Sequence, residues 1–239
     1  MHEWMLAIET SSSQGCIALA DQGCVVEECL LPSSGRRHGQ TLLSTIRDLL
    51  QRHHVNPCDV QVVVVGIGPG SFTGLRVGIV CAKTWCFATG ARLLGVESLQ
   101  ACVANVPPEV ADVWAVCDAQ RSEWFLAHYR YDAREGWHRW SEWTIVPQVD
   151  WLRSRSEPTY VVGPGISQVP FESLPPHLDL NREGWSLRPS ASGLIRASMR
   201  RIVLSQFDDP STLVPLYLRP SAAEEKRLGS RDATESNEA

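Results

Sequence analysis

Hydrophobic residues near the start of the chain recur first at the spacing of β-strands and then at the spacing of a helix. Residues 5–8, 16–20 and 24–31 form three short apolar or alternating segments, separated by turns rich in serine, glycine and aspartate. They predict a three-stranded meander. The next apolar positions repeat at helical spacing with polar residues between them: Leu42, Leu43, Ile46, Leu49 and Leu50. Residues 42–53 are therefore predicted to form an amphipathic helix.

A glycine-rich loop joins a buried strand to a second predicted helix. Residues 62–65 are continuously apolar, which is typical of a strand that is buried on both faces. They lead into a loop at 66–76, where Ser71 or Thr73 can cap the following helix. Free N–H groups at such a helix start could hold an anion, but the loop has neither the lysine of a P-loop nor the dinucleotide-binding pattern. A structural connection and a ligand-facing loop both stay open.

The second helix, predicted from Phe72 to about Thr89, is apolar on two faces. These faces consist of Leu75, Ile79, Ala82 and Cys86, and of Val77, Val80, Thr84, Phe87 and Ala88. A helix with two apolar faces must be covered on two sides. Its own sheet covers one side, and either a neighbouring helix or a partner subunit covers the other.

Gly74, Gly78 and Ala82 recur every four residues on this helix and form a ridge of small side chains. Such a ridge lets another helix approach closely. We therefore expect the second helix, together with the helix at 42–53, to contact a partner. The predicted interface residues are Gly70, Phe72, Thr73, Gly74, Leu75, Gly78, Ile79, Ala82, Leu42 and Ile46.

The second half of the chain repeats the order of elements of the first half. It is predicted to contain strands at 113–118, 123–131, 137–146 and 160–163 and helices at 150–155 and 192–207. The Pro107-Pro108 pair marks the boundary between the halves. This duplication predicts an α/β protein of two related lobes, 1–106 and 107–220. Residues 221–239 are rich in charge and poor in apolar residues, so we expect a disordered tail.

Composition narrows the functional classes. The chain has 239 residues, of which 44% are hydrophobic and 21% charged, and its formal net charge is −5. These fractions supply a core and exclude a largely disordered chain. The acidic balance argues against a stand-alone nucleic-acid-binding protein, although RNA contact through a basic partner stays open. Without a long uncharged apolar segment or a basic, apolar leader, we expect a cytoplasmic protein and no membrane contact.

Metal and thiol chemistry find little support in the sequence. The eight cysteines include no Cys-x-x-Cys pair and most lie in apolar segments, so we expect free, buried thiols. The seven histidines have no metal-binding spacing, so we expect no metal site and no catalytic residue. Trp137, Trp140, Trp143 and Trp151 could form a base-stacking surface, but we favour an aromatic core for the second lobe.

Several segments together carry a resemblance. The glycine-rich segment 68–78 reads GPGSFTGLRVG. Shorter segments accompany it in order along the chain: LAIETS at 6–11, RH at 37–38, GVESL at 95–99, DAQR at 118–121 and PLYLR at 215–219. These segments resemble the TsaB (YeaZ-like) family of the tRNA threonylcarbamoyladenosine pathway. The sequence departs from the family at Glu9, where aspartate is usual, and at Gly39-Gln40, where Ser-Glu is usual.

The resemblance implies an α/β, two-lobed, actin-like (ASKHA, ribonuclease H-like) duplicated fold. In that superfamily, acids at the end of the first strand of each lobe face the cleft between the lobes. The matching residues are Glu9, followed by Thr10 and Ser11, and Asp118. We expect Glu9 and Asp118 to face each other as remnants of a nucleotide site. No cofactor is expected, and a weakly bound or interface-bound nucleotide stays open.

The resemblance also implies a function in a complex. The catalytic paralogue, TsaD, carries a His-x-x-x-His metal pair that this sequence lacks. The expected role is a non-catalytic subunit that supports a TsaD-like protein in transferring threonylcarbamoyl to adenosine 37 of tRNAs reading codons that begin with A. Further expected partners are a TsaE-like ATPase, tRNA through the complex, and a second copy when the chain is alone. A small-molecule kinase or ATPase of this fold and a glycoprotease-like peptidase are the alternatives.

Overall fold

In a computed structural model, which describes residues 2–32, 38–169, 178–179 and 187–219, the chain folds into two mixed β-sheets with helices between and outside them. The first half contains β1 (Trp4–Glu9), β2 (Cys16–Asp21), β3 (Cys24–Leu30), α1 (His38–Arg52), β4 (Val60–Gly66), α2 (Phe72–Thr89), β5 (Arg92–Val96) and α3 (Ser98–Val103). The second half contains β6 (Asp112–Asp118), β7 (Glu123–Asp132), β8 (Gly136–Arg139), β9 (Thr144–Pro147), α4 (Gln148–Arg153), β10 (Thr159–Val162), β11 (Leu178–Asp179) and α5 (Ala191–Val203). Short 3₁₀ helices connect several of these elements, at Pro57–Asp59, Pro108–Val110 and Pro164–Gln168.

The two sheets have the same strand order. The first sheet runs β3-β2-β1-β4-β5, with β1, β2 and β3 antiparallel and β1, β4 and β5 parallel. Counted from the corresponding edge, the second runs β8-β7-β6-β10-β11, with β6 antiparallel to β7 and parallel to β10. This repetition confirms the predicted α/β fold of two related lobes. The predicted tail at 221–239 and Arg37 of the RH segment lie outside the described residues.

One predicted strand is divided in two. Residues 137–146 were expected to be continuous, but β8 and β9 pair with different parts of β7, on either side of His128. At this point the backbone N–H groups of Trp140 and Ser141 both donate to the His128 carbonyl, and the Ser141 hydroxyl accepts a hydrogen bond from the His128 N–H. The Ser141 side chain thus replaces a backbone acceptor, so the ladder is interrupted there.

Helices and sheets alternate in five layers. Helices α1 and α2 cover the outer face of the first sheet, where Leu42 and Ile79 pack with Val63. Helix α5 covers the opposite face of that sheet, while α3 packs on α5 and covers the inner face of the second sheet. Helix α4 covers the outer face of the second sheet. The interior between the two sheets is therefore built from helices of both halves.

This arrangement differs from a simple division at Pro107-Pro108. The boundary separates the strands of the two sheets, but α3 follows the first sheet and packs on the second. Conversely, α5 follows the second sheet and packs on the first, through Leu194 and Ile195. The ranges 1–106 and 107–220 therefore exchange one helix each, because the apolar faces of these helices match the sheet of the other half.

The cysteines and tryptophans are only partly buried. All eight cysteines are free, and Cys24 and Cys58 are exposed, which corrects the expectation that the thiols are buried. Three of the four clustered tryptophans pack on the second sheet, whereas Trp140 is exposed and lies under the Arg130 guanidinium. No helix in the described part of the chain is long and apolar enough to cross a membrane.

Candidate functional site

The glycine-rich loop places the start of α2 beside the end of β1. The Ser71 N–H donates to the Ser11 carbonyl at 2.7 Å, and the Ser71 hydroxyl accepts a hydrogen bond from the Gly74 N–H. Of the two predicted capping residues, Ser71 is therefore the N-cap of α2, and Thr73 is exposed. The loop itself connects the strand, the turn after β1 and the helix.

The small-residue ridge of α2 is internal packing. The Thr10 hydroxyl donates to the Gly74 carbonyl at 2.8 Å. A Cβ atom added to Gly74 would lie 2.0 Å from the Thr10 carbonyl oxygen, and one added to Gly78 would lie 2.3 Å from Thr10 Oγ1. Ala82 is fully buried on the same face. The prediction that this ridge receives a partner's helix is wrong, since its glycines let α2 approach the chain's own strand.

Three other predicted interface residues are also internal. Leu75, Ile79 and Ile46 are almost completely buried within the first lobe. The core on this side of the sheet contains both Ile46 of α1 and Ile79 of α2. These side chains hold the two helices on the sheet and present no surface to a second molecule.

An exposed apolar groove lies between α1 and α2 on the outer side of the first lobe. Its volume is about 650 Å³, and we call it the α1–α2 groove; its lining includes Leu42, Leu43, Val77, Val80, Thr84 and Trp85. The side chain of Leu42, a predicted interface residue, is buried in the groove floor. Leu43 and Val80 are 65% and 60% exposed. The interface prediction missed both, although the second apolar face of α2 was the available signal for Val80.

A larger cleft of about 980 Å³ separates the lobes. Its first-lobe wall comprises residues 11–13 and 69–73, its second-lobe wall includes residues 117–121, and residues 216–219 also line it. The predicted interface residues Gly70, Phe72 and Thr73 therefore line this cleft and not the α1–α2 groove.

Glu9 is buried and is not among the residues that line the interlobe cleft. Its side chain is fully buried, with Oε1 accepting a hydrogen bond from the Ser11 N–H and Oε2 lying against Gly66. Burial raises the pKa of this carboxyl above its ordinary value, against the opposing effect of the Ser11 hydrogen bonds. Thr10 is buried as well, because its hydroxyl faces α2.

The second-lobe acid behaves differently. Asp118 is exposed and lines the cleft, where its Oδ1 accepts a hydrogen bond from the Gln120 N–H at 2.6 Å. Ser11 lines the opposite wall. The prediction that Glu9 and Asp118 face each other across the cleft is therefore wrong for Glu9, since its carboxyl is buried and accepts a hydrogen bond from the turn after β1.

The cleft does not fit a metal-bound nucleotide held by an acid from each lobe. Asp118 lines the cleft, while the matching Glu9 carboxyl is buried and does not line it. Within residues 2–32, 38–169, 178–179 and 187–219, no three His, Cys, Asp or Glu side chains come together where they could hold a metal ion.

Comparison with known proteins identifies the family. The family model TsaD, described as tRNA N6-adenosine threonylcarbamoyltransferase, matches residues 30–224. The tRNA threonylcarbamoyladenosine biosynthesis protein TsaB of Escherichia coli K12 is 27% identical over 230 residues, which cover 94% of this chain and 98% of that protein. The protein of the same description from Bacillus subtilis is 30% identical over 127 residues, covering 53% of this chain and 55% of that protein.

A solved structure agrees with the fold. YeaZ from Pseudomonas aeruginosa superposes with a TM-score of 0.73 at 24% identity, covering 90% of this chain and all of that one. The two repeated sheets, the glycine-rich loop and the range matched by the family model all indicate the same family. The chain belongs to the TsaD family, within which it is a TsaB-like (YeaZ-like) member with an actin-like, two-lobed ASKHA fold.

Proposed function

We propose that this chain is a non-catalytic partner subunit in tRNA threonylcarbamoyladenosine synthesis. In this role it supports a TsaD-like catalytic protein, which transfers threonylcarbamoyl to adenosine 37 of tRNAs that read codons beginning with A. The names of the relatives from E. coli and B. subtilis support a place in this pathway. The cytoplasm, where tRNA is modified, is the proposed location.

The α1–α2 groove is the observation that carries the partner role. It presents contiguous apolar side chains to solvent, with Leu43 on one helix and Val80 on the other. Exposed apolar grooves of this kind commonly mark interaction sites. Burying one such side chain contributes about 1.5–3 kcal/mol, so a partner helix that covers several of them gains appreciable affinity.

The interlobe cleft supports a role without chemistry of its own. Its described lining contains serines but no histidine that could activate one of them, and Glu9 is withdrawn from it. Neither the kinase or ATPase nor the peptidase alternative therefore gains support from the geometry.

The same proposal includes further partners. A second copy of the chain occupies the α1–α2 groove when the catalytic protein is absent. A TsaE-like ATPase joins the complex, and a nucleotide, where one is bound, lies at an interface between subunits. The chain's net charge of −5 favours contact with tRNA through its partner over contact on its own surface.

The test places a charge in the groove. Val80→Asp is compared with Val149→Asp, because Val149 is a similarly exposed valine, on α4 of the other lobe. Association with the TsaD-like protein of the same organism is measured by calorimetry, and tRNA modification is measured with the reconstituted complex. We expect Val80→Asp to weaken association by about 10- to 100-fold, which corresponds to about 1.4–2.8 kcal/mol.

Val149→Asp is expected to leave both affinity and modification unchanged. Circular dichroism and thermal melting establish that each variant is folded. Sedimentation of the isolated chain measures self-association, which Val80→Asp should also weaken. Equal affinity of a folded Val80→Asp variant and the wild type for the catalytic protein would rule out the groove as the partner site.

A further inference from the structure

Residues 208–219, which we call the strap, follow α5 and cross from the first lobe to the second. The strap begins at the edge of the first sheet. The Asp208 N–H donates to the Leu93 carbonyl at 2.8 Å, and its carboxylate accepts hydrogen bonds from the Gly95 N–H and from Arg201. This end of the strap is therefore fixed to β5.

The middle of the strap is attached to α2 and to the glycine-rich loop. Leu213 packs into the core of the first lobe, and its carbonyl accepts a hydrogen bond from Lys83 Nζ at 3.1 Å. The Leu216 N–H donates to the Ile67 carbonyl at 2.8 Å. These contacts bring the strap to the rim of the interlobe cleft.

Tyr217 forms an aromatic and cationic stack at that rim. Its ring stacks on Phe72 with the centroids 4.9 Å apart, and its hydroxyl accepts a hydrogen bond from Arg76 Nε at 2.9 Å. The Arg76 guanidinium lies 3.9 Å from the centre of the Phe72 ring. Phe72 and Tyr217 line the interlobe cleft, whereas Arg76 lines the α1–α2 groove.

The end of the strap is attached to the second lobe. Leu218 packs on the inner core of the second sheet. Arg219 donates to the Ala119 carbonyl and forms an ion pair with Glu123, so it holds both sides of the turn between β6 and β7. Hydrogen bonds to charged partners are stronger than neutral ones. Within three residues, the strap thus passes from a first-lobe stack to a second-lobe ion pair.

We propose that the strap ties the two lobes together and holds the interlobe cleft at a fixed opening. Wider opening of the cleft would separate Tyr217 from Phe72 or Arg219 from the β6–β7 turn. The lobes of this chain consequently move as one body. The proposal rests on the contacts of the strap and is independent of the proposed function.

The experiment measures the distance between the lobes. Spin labels are attached to Cys58, which is exposed in the first lobe, and to a Glu157→Cys variant in an exposed loop of the second. Cys24→Ser removes the other exposed thiol. Pulsed electron paramagnetic resonance then compares the intact strap with Arg219→Ala and Tyr217→Ala. The expected result is one narrow distance distribution for the intact strap and a broader one, shifted to longer distance, for each strap variant.

Val214→Ala is the matched control, because Val214 lies in the strap with its side chain 67% exposed. It should preserve the narrow distribution. If folded Arg219→Ala and Tyr217→Ala variants, verified by thermal melting, give the same distribution as this control, the strap does not set the opening.

Hydrogen exchange keeps the proposal testable even if a variant fails to fold. In the unsubstituted protein, the Leu216 amide should be protected, and Arg219→Ala should lower that protection by about tenfold. Exchange of this amide in the unsubstituted protein at the rate of a free chain would overturn the proposal, since the strap would then be unattached.

Discussion

The contact between Gly74 of α2 and Thr10 can be tested by adding a single methyl group. In Gly74→Ala the new Cβ would lie 2.0 Å from the Thr10 carbonyl oxygen, so the helix and the end of β1 must separate by more than 1 Å to reach ordinary contact. A backbone oxygen cannot rotate out of the way as a flexible side chain can. Overpacking of this kind costs about 1–3 kcal/mol.

The helix propensity of alanine opposes this cost. Alanine is favoured over glycine within a helix by about 1 kcal/mol, so the expected net destabilisation of Gly74→Ala is at most about 2 kcal/mol. For a domain of this size each kcal/mol lowers the melting temperature by about 2–4 °C, which gives an expected decrease of up to about 8 °C. Differential scanning calorimetry measures the decrease directly.

Gly39→Ala is the matched control for Gly74→Ala. Gly39 also lies in a helix, but its added Cβ would meet only Val77 side-chain atoms, at 3.6 Å and beyond, which is ordinary contact. This variant should be as stable as the wild type or slightly more stable. A Gly74→Ala variant that melts at or above the temperature of Gly39→Ala would refute the close approach of α2 to Thr10.

Two further predictions concern acidic residues. Burial raises the pKa of Glu9, so the stability contributed by this carboxyl is fully present below pH 4.5 and is lost as the pH rises. Glu9→Gln should therefore raise the melting temperature at pH 8 but not at pH 4. It should leave tRNA modification intact. A pH-independent difference between the two melting curves would contradict this reasoning. Arg52 and then His53 lower the pKa of Glu27 to about 2, so its stabilising contribution is present above pH 4.5 and is lost as the pH falls towards 2. Acid unfolding followed by circular dichroism should show that Glu27→Gln does not lose this stability as the pH falls. Parallel unfolding curves for Glu27→Gln and the wild type would contradict the stabilising role of Glu27.

Local patterns in the sequence were sufficient for most elements of the fold. Strand alternation and helical spacing are properties of neighbouring residues. The predicted ends of α1 and α2 lie within four residues of the observed ends. The division of residues 137–146 into β8 and β9 depends on a hydrogen bond between Ser141 and His128, thirteen residues apart. The exchange of α3 and α5 depends on contacts between the halves, which no local period encodes.

The candidate site was harder to predict, for two physical reasons. The spacing of Gly74, Gly78 and Ala82 shows that something approaches α2 closely, but not whether that neighbour is a partner or β1. The identity of Glu9 shows an acid at the end of a strand, but the direction of its side chain depends on the N–H of Ser11. The second apolar face of α2 contains the exposed Val80, whereas the first face is buried. Spacing alone could not show which of the two faces is exposed.

The exchange of α3 and α5 has a consequence for biosynthesis. Translation completes all five strands of the first sheet before the second sheet begins, yet the helix that covers one face of that sheet is made after β10. Until α5 leaves the ribosome, an apolar surface that includes Met5, Ala7 and Val64 has no permanent cover. The first half therefore cannot complete its core until α5 is made, and exposed apolar surface in such an intermediate favours aggregation. The first sheet, although its strands are made first, is therefore expected to become stable only when the last helix packs against it.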